Sequence, residues 1–127
     1  MKTIVLDMQS VLYAKAVRRI LAQDLDELQV DIATSPKQTV GRCMLLHADV
    51  LIMEVTPFIP WCLSERIRIR EQVREGLPQC KIVLLVDEKA DRELLQEVKR
   101  CSREGAIDAF LFTSVPESYL VAVVDSL

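Results

Sequence analysis

Glycine is scarce in this chain of 127 residues: Gly41, Gly76 and Gly105 are the only three. The loop after the opening apolar run, Asp7-Met8-Gln9-Ser10, has none. A pyrophosphate cradle needs backbone that approaches its ligand closely, which a glycine-rich first loop supplies. Nucleotide and flavin binding are therefore set aside, and all three glycines fall near the ends of expected helices. Histidine is scarcer still. His47 stands alone and reads as a helix-end residue rather than a ligand or proton shuttle. Four cysteines, Cys43, Cys62, Cys80 and Cys101, are scattered with no C-x-x-C pair. That spacing argues against a zinc site and a disulfide framework, and for reduced, mostly buried thiols in a cytoplasmic protein. There is no G-x-S-x-G elbow for hydrolase chemistry. No apolar run approaches the ~20 residues of a bilayer span. Asp7 interrupts the first run, so the start does not read as a signal peptide. Positive charge is not in excess either: 16 Lys and Arg against 19 Asp and Glu give a net charge of −3, which argues against a direct grip on nucleic acid.

What the chain does contain is a regular alternation. Half of it is hydrophobic and 28% is charged, the composition of one globular domain over residues 1–127. Asp49 to Phe58 is the central stretch. It is apolar at nearly every position up to Glu54, as in a strand buried on both faces of a parallel sheet. Lys2–Asp7, Leu28–Ala33, Lys81–Val86 and Ile107–Phe112 read as the other strands, the second an edge because its apolar residues alternate. Helices are expected between them. The first, Val11–Ala22, is capped by Ser10, with Val11, Leu12, Ala14, Val17, Ile20 and Leu21 inward. The second opens at Thr34-Ser35-Pro36, carries Val40, Met44 and Leu45, and fades near His47. The third is capped by Ser64 and stopped by Gly76 and Pro78. The fourth is Ala90–Glu104, and the last runs from Pro116-Glu117 to Leu127. Five strands alternating with five helices give a doubly wound, flavodoxin-like, three-layer α/β/α domain. Ligands of such sheets sit beyond the strand carboxyl ends, which here collect Asp7, Glu54, Val86 and the Phe112-Thr113 pair.

The pattern resembles the receiver domain of two-component response regulators over essentially the whole chain. The landmarks are Ile4-Val5-Leu6-Asp7, Asp49 to Glu54, Gly105-Ala106-Ile107-Asp108-Ala109-Phe110 and Pro116-Glu117. The resemblance implies magnesium held by two acids at the first strand and one at the third, with the third-strand acid phosphorylated. It also implies a fifth-strand lysine to neutralise the charge, and a Ser/Thr and an aromatic that switch. On this sequence the first acid matches Asp7 and the second falls on Met8, a thioether unsuited to a hard cation. The acceptor falls on Glu54, one methylene longer than aspartate. The hydroxyl falls on Val86 and the lysine on Phe112. The aromatic falls on Ala109, or on Phe110 with a shift of one residue.

Phosphorylation of a carboxylate needs divalent charge and a cation to offset the new dianion. The expectation is therefore a degenerate receiver, without enzyme activity or bound metal (Asp7 and Glu54 being weak candidates). It would act by dimerisation or partner contact through the face of the fourth helix, fifth strand and fifth helix. A histidine kinase partner and an output domain beyond Leu127, controlling transcription, are compatible with it. Glu54 reads as a solvated strand-end acid before a built-in imitation of phosphorylation, and Asp7 as an acceptor for nearby backbone N–H groups. Phe58, Trp61, Phe110 and Tyr119 are candidate contact residues, Trp61 reading first as a plug over the acidic pocket. Arg66, Arg68, Arg70 and Arg74 read as a solvated, salt-bridged face. Two alternatives stay open: a receiver phosphorylated on another residue, such as Asp7, Thr56 or Ser64, and a small flavodoxin-like ligand-binding domain or enzyme.

Overall fold

A computed structural model describes residues 1–127. Five strands, β1 (Lys2–Asp7), β2 (Leu28–Ile32), β3 (Val50–Val55), β4 (Lys81–Val86) and β5 (Ala109–Phe112), form one parallel sheet in the order β2-β1-β3-β4-β5. Five helices, α1 (Val11–Asp24), α2 (Pro36–Leu46), α3 (Leu63–Gly76), α4 (Arg92–Arg103) and α5 (Glu117–Ser126), alternate with them. The edge position expected for the second strand and the doubly wound α/β class are both found. No helix is long and apolar enough to cross a membrane.

Two cores divide at the sheet because successive strand side chains point to opposite faces. Ile4, Leu6, Val50, Ile52, Val83 and Leu85 pack with α1 and α5 residues such as Val17, Leu21, Leu120 and Val124. Val5, Leu51, Met53, Leu84 and Val86 pack against residues that include Cys43, Ile69, Val73 and Val98 of α2, α3 and α4. Burial on both faces of β1, β3 and β4 explains their unbroken apolar runs.

Acids outside the carboxyl edge secure the other end of the sheet. Asp49 Oδ2 accepts from the Thr3 N–H at 2.8 Å. Asp108 Oδ2 accepts from the Ile82 N–H and from Arg74 Nη2, each at 2.7 Å. The acid of the Gly-Ala-Ile-Asp stretch thus closes backbone donors where β4 begins. Gly105 at φ +78° makes the turn before it, in the left-handed region that favours glycine.

Several local expectations shift. Leu45 is 77% exposed, and α2 instead buries Thr39 and Cys43, because the inward stripe runs one register away. Leu12 is exposed at the start of α1. Gly41 lies inside α2 rather than at a helix end. His47 does end that helix, at φ 52°. Cys62, not Ser64, occupies the cap position of α3. The fourth helix starts at Arg92 with Asp91 Oδ1 accepting from the Leu94 N–H at 2.8 Å. The fifth strand starts at Ala109, since the N–H groups of Ala106 and Ile107 are still bonded to the Cys101 carbonyl.

Candidate functional site

Strand β1 ends on Asp7, and its neighbour β3 reaches Glu54 one residue past the Asp7–Met53 pairing. Both acids therefore stand at the carboxyl edge, but in different surroundings. Asp7 is fully buried. Its Oδ2 accepts from Arg66 Nη1 at 2.7 Å and from the Thr39 hydroxyl at 2.5 Å. Arg66 also donates from Nη2 to the Asp7 carbonyl at 3.1 Å and from Nε to the Glu54 carbonyl at 2.8 Å. All three guanidinium nitrogens are thereby engaged, which a charge removed from water requires. Asp7 Oδ1 is buried with no hydrogen-bond partner.

Arg66 is 0% exposed, which corrects the expectation of a solvated arginine face. It lies on the inward stripe Arg66-Ile69-Val73 of α3, so the helical period carries it under the sheet edge. The rest of that face is only partly solvated. Arg68 pairs with Glu65 at 2.7 Å at the surface. Arg70 donates to the Ala106 carbonyl, and Arg74 to the Cys80 carbonyl and Asp108. Asp7 is likewise corrected, since its carboxylate serves two side chains and not nearby backbone N–H groups. The signal that could have found the pair was an arginine three residues before Ile69 and seven before Val73.

Glu54 is half-buried, and its Oε1 accepts from the Gln9 N–H at 2.9 Å. The carboxylate thus ties the first loop to β3. Burial, and then the Glu54 charge, raise Tyr13 above the usual phenol value. Beside Glu54 a cleft of about 250 Å³ is lined by Gln9, Thr56, Phe58, Asp87 and Lys89, among others. Lys89 comes from the exposed β4–α4 loop, so the cleft does have a cationic side chain at its wall, although the lysine position of the receiver pattern holds Phe112. It makes no ion pair within 4.0 Å. Trp61 is half-buried outside that lining, its N–H bonded to the Phe58 carbonyl and its carbonyl to the Thr56 N–H. The expected plug is therefore not formed, and Phe58, 63% exposed, flanks the cleft instead.

The remaining candidates, Tyr119 apart, are apolar and packed. Met8 is buried with the α1/α5 core. Val86 and Phe112 are paired neighbours on β4 and β5, and both pack on the α2/α3/α4 side. Phe110 and Phe112 meet edge-to-face with centroids 5.9 Å apart, while Ala109 packs on the opposite core. Tyr119 is exposed on α5.

No protein-family model matches the chain, and no curated protein does. Solved structures do. A LuxR-family DNA-binding response regulator from Staphylococcus aureus superposes with a TM-score of 0.77 at 9% identity, covering 99% of this chain and 98% of that one. A response regulator from Thermotoga maritima gives 0.77 at 17% identity, covering 99% and 96%. The CheY-like protein TadZ from Pseudomonas aeruginosa gives 0.73 at 16% identity, covering 99% and 98%. The fold is that of a CheY-like receiver domain. At these identities the likeness settles architecture, and the chemistry has to be read from the residues.

Magnesium, which the receiver fold implies, prefers several oxygen ligands in near-octahedral array. With Arg66 in place, the carboxyl edge does not fit it. Asp7 is neutralised by Arg66, Met8 offers only a thioether, and Glu54 is the one carboxylate left on the first and third strands. No cluster of three His, Cys, Asp or Glu side chains capable of holding a metal is present.

The thiols separate sharply. Burial pushes Cys43 up to about 12 and Cys80 up to about 11. Cys62 is lowered, first by its contact with the Ser64 hydroxyl at 3.5 Å. The thiolate is the nucleophile, so Cys62 is expected to be alkylated by iodoacetamide at pH 8 at least roughly tenfold faster than Cys43 or Cys80. Peptide mapping by mass spectrometry over a time course reads this order directly. Equal rates for the three would contradict it.

Proposed function

We propose that this chain is a receiver-like signalling module that works by protein contact and does not take up phosphate on Glu54. The buried Asp7–Arg66 pair carries this reading. It withdraws the first-strand acid from any ion in solution, and Phe112 replaces the lysine that would meet a new phosphoryl dianion. Such a domain is no enzyme and needs no magnesium. Its partners are a second copy or another protein, met through α4, β5 and α5, where Tyr119 is exposed and Phe110 half-buried. A transcription-controlling output domain, as the name of the Staphylococcus aureus neighbour suggests, is compatible with it. So is a place in the cytoplasm, given four free thiols. The net charge of −3 favours protein over nucleic acid as the direct contact of this domain.

One observation favours the alternative of a non-standard acceptor: Lys89 and Thr56 line the cleft beside Glu54. A single experiment separates the two. The protein is incubated with acetyl phosphate and magnesium, its intact mass is measured, and any adduct is located by peptide mapping. No added phosphoryl group is the expected result. A stoichiometric adduct on Glu54 would overturn the proposal, and one on Thr56 would establish the alternative.

A further inference from the structure

We infer that Arg66 is a resident cation, tethered to the chain, that permanently fills an oxygen cage at the carboxyl edge of the sheet. The inference deepens the contact-only reading and rests on it in one respect, that no exchangeable ion operates the site. Three oxygens converge there from two adjacent strands: the Asp7 carboxylate, the Asp7 carbonyl and the Glu54 carbonyl. Each meets a different nitrogen of one guanidinium. Thr39 adds its hydroxyl to the same carboxylate oxygen, and the other oxygen, Oδ1, is fully buried without a partner.

Oxygens of this kind, gathered around one buried negative charge, demand a positive one. A planar fork with five N–H donors spans such a set, whereas an ammonium presents its donors from a single nitrogen. An ion from solution would come and go with its concentration and leave the cage in two states. Arg66 belongs to α3, so the cage has one state. The first turn of α3 is then fastened to the ends of β1 and β3 whatever the metal content of the solution. What the side chain occupies is a latent cation site, closed by the chain itself.

Thermal unfolding in millimolar MgCl₂ and in EDTA tests this on the wild type, Arg66→Ala and Arg66→Lys. The wild-type Tm is expected to be the same in both buffers. Arg66→Ala, which strands the Asp7 charge, is expected to melt about 10–20 °C lower in EDTA. Magnesium should restore part of that loss, since an ion bound only by the folded state stabilises it. Arg66→Lys keeps a charge in the cage, so it should melt between the two and ignore magnesium. A wild-type Tm that rises with magnesium overturns the inference, as does a folded Arg66→Ala that magnesium leaves unchanged. Should Arg66→Ala fail to fold in either buffer, Arg66→Lys decides: insensitivity supports the resident cation, and stabilisation by magnesium overturns it. The two readings fail separately. Phosphoryl uptake by the wild type in EDTA would end the contact-only proposal and leave Arg66 its role. Stabilisation of the wild type by magnesium without phosphoryl uptake would do the reverse.

Discussion

Asp7→Ala is expected to lower the unfolding free energy by about 3–5 kcal/mol, the usual cost of removing one partner from a buried ion pair. The loss comes less from the missing attraction than from what is left behind. Arg66 has no exposed surface, and alanine would leave its Nη1 donor and full charge facing a void. Thr39 would lose its acceptor as well. Most domains hold only about 5–15 kcal/mol in reserve, so this one change would remove a large share. Urea denaturation should show a lower midpoint with an unchanged slope. The companion variant Asp7→Leu with Arg66→Met replaces both charges by apolar groups, and should recover much of the loss because buried pairs seldom outdo good packing. An Asp7→Ala protein as stable as the parent would mean that the pair is not buried in solution.

Phe112→Lys is expected to cost about 2–4 kcal/mol and to confer no phosphoryl uptake. The substitution places the lysine of the receiver pattern at its expected position. Phe112, however, packs against the α2/α3/α4 core and meets Phe110 edge-to-face. Lysine forfeits that ring contact and must carry its ammonium outward along its stem. The chemistry would still lack an available first-strand acid, because Asp7 remains with Arg66. Denaturation midpoints and intact mass after acetyl phosphate check both halves. An adduct in this variant alone would show that the missing lysine, and not the occupied acid, silences the site.

The architecture was legible because it is written in patterns of fixed period. Unbroken runs such as Val50–Met53 and Ile82–Val86 announce strands covered on both faces, and the alternating Leu28, Val30 and Ile32 announce an edge. Asp7, Glu54, Val86 and Phe112 could be placed at one edge because three of them end strands and Glu54 stands one residue before the end of β3. The site itself was less legible, because charge is an unreliable guide to exposure. Arg66 sits among Glu65, Arg68, Arg70 and Glu71, a composition that looks solvated, while its phase with Ile69 and Val73 puts it inside. Lys89 was hidden for another reason. Loop residues have no period to reveal where they point, and only the packing of the loop after β4 brings that one beside Glu54.

Two of the three oxygens that hold Arg66 are main-chain carbonyls, one of them that of Glu54. A carbonyl is present whatever the side chain. The fastening of α3 to β3 is therefore indifferent to the identity of residue 54, while its fastening to β1 adds to the residue 7 carbonyl a charged bond that needs an acid there. Under mutational drift the two positions should part company. Residues 7 and 66 would change together or not at all, and residue 54 would wander within whatever the cleft and the Gln9 amide tolerate.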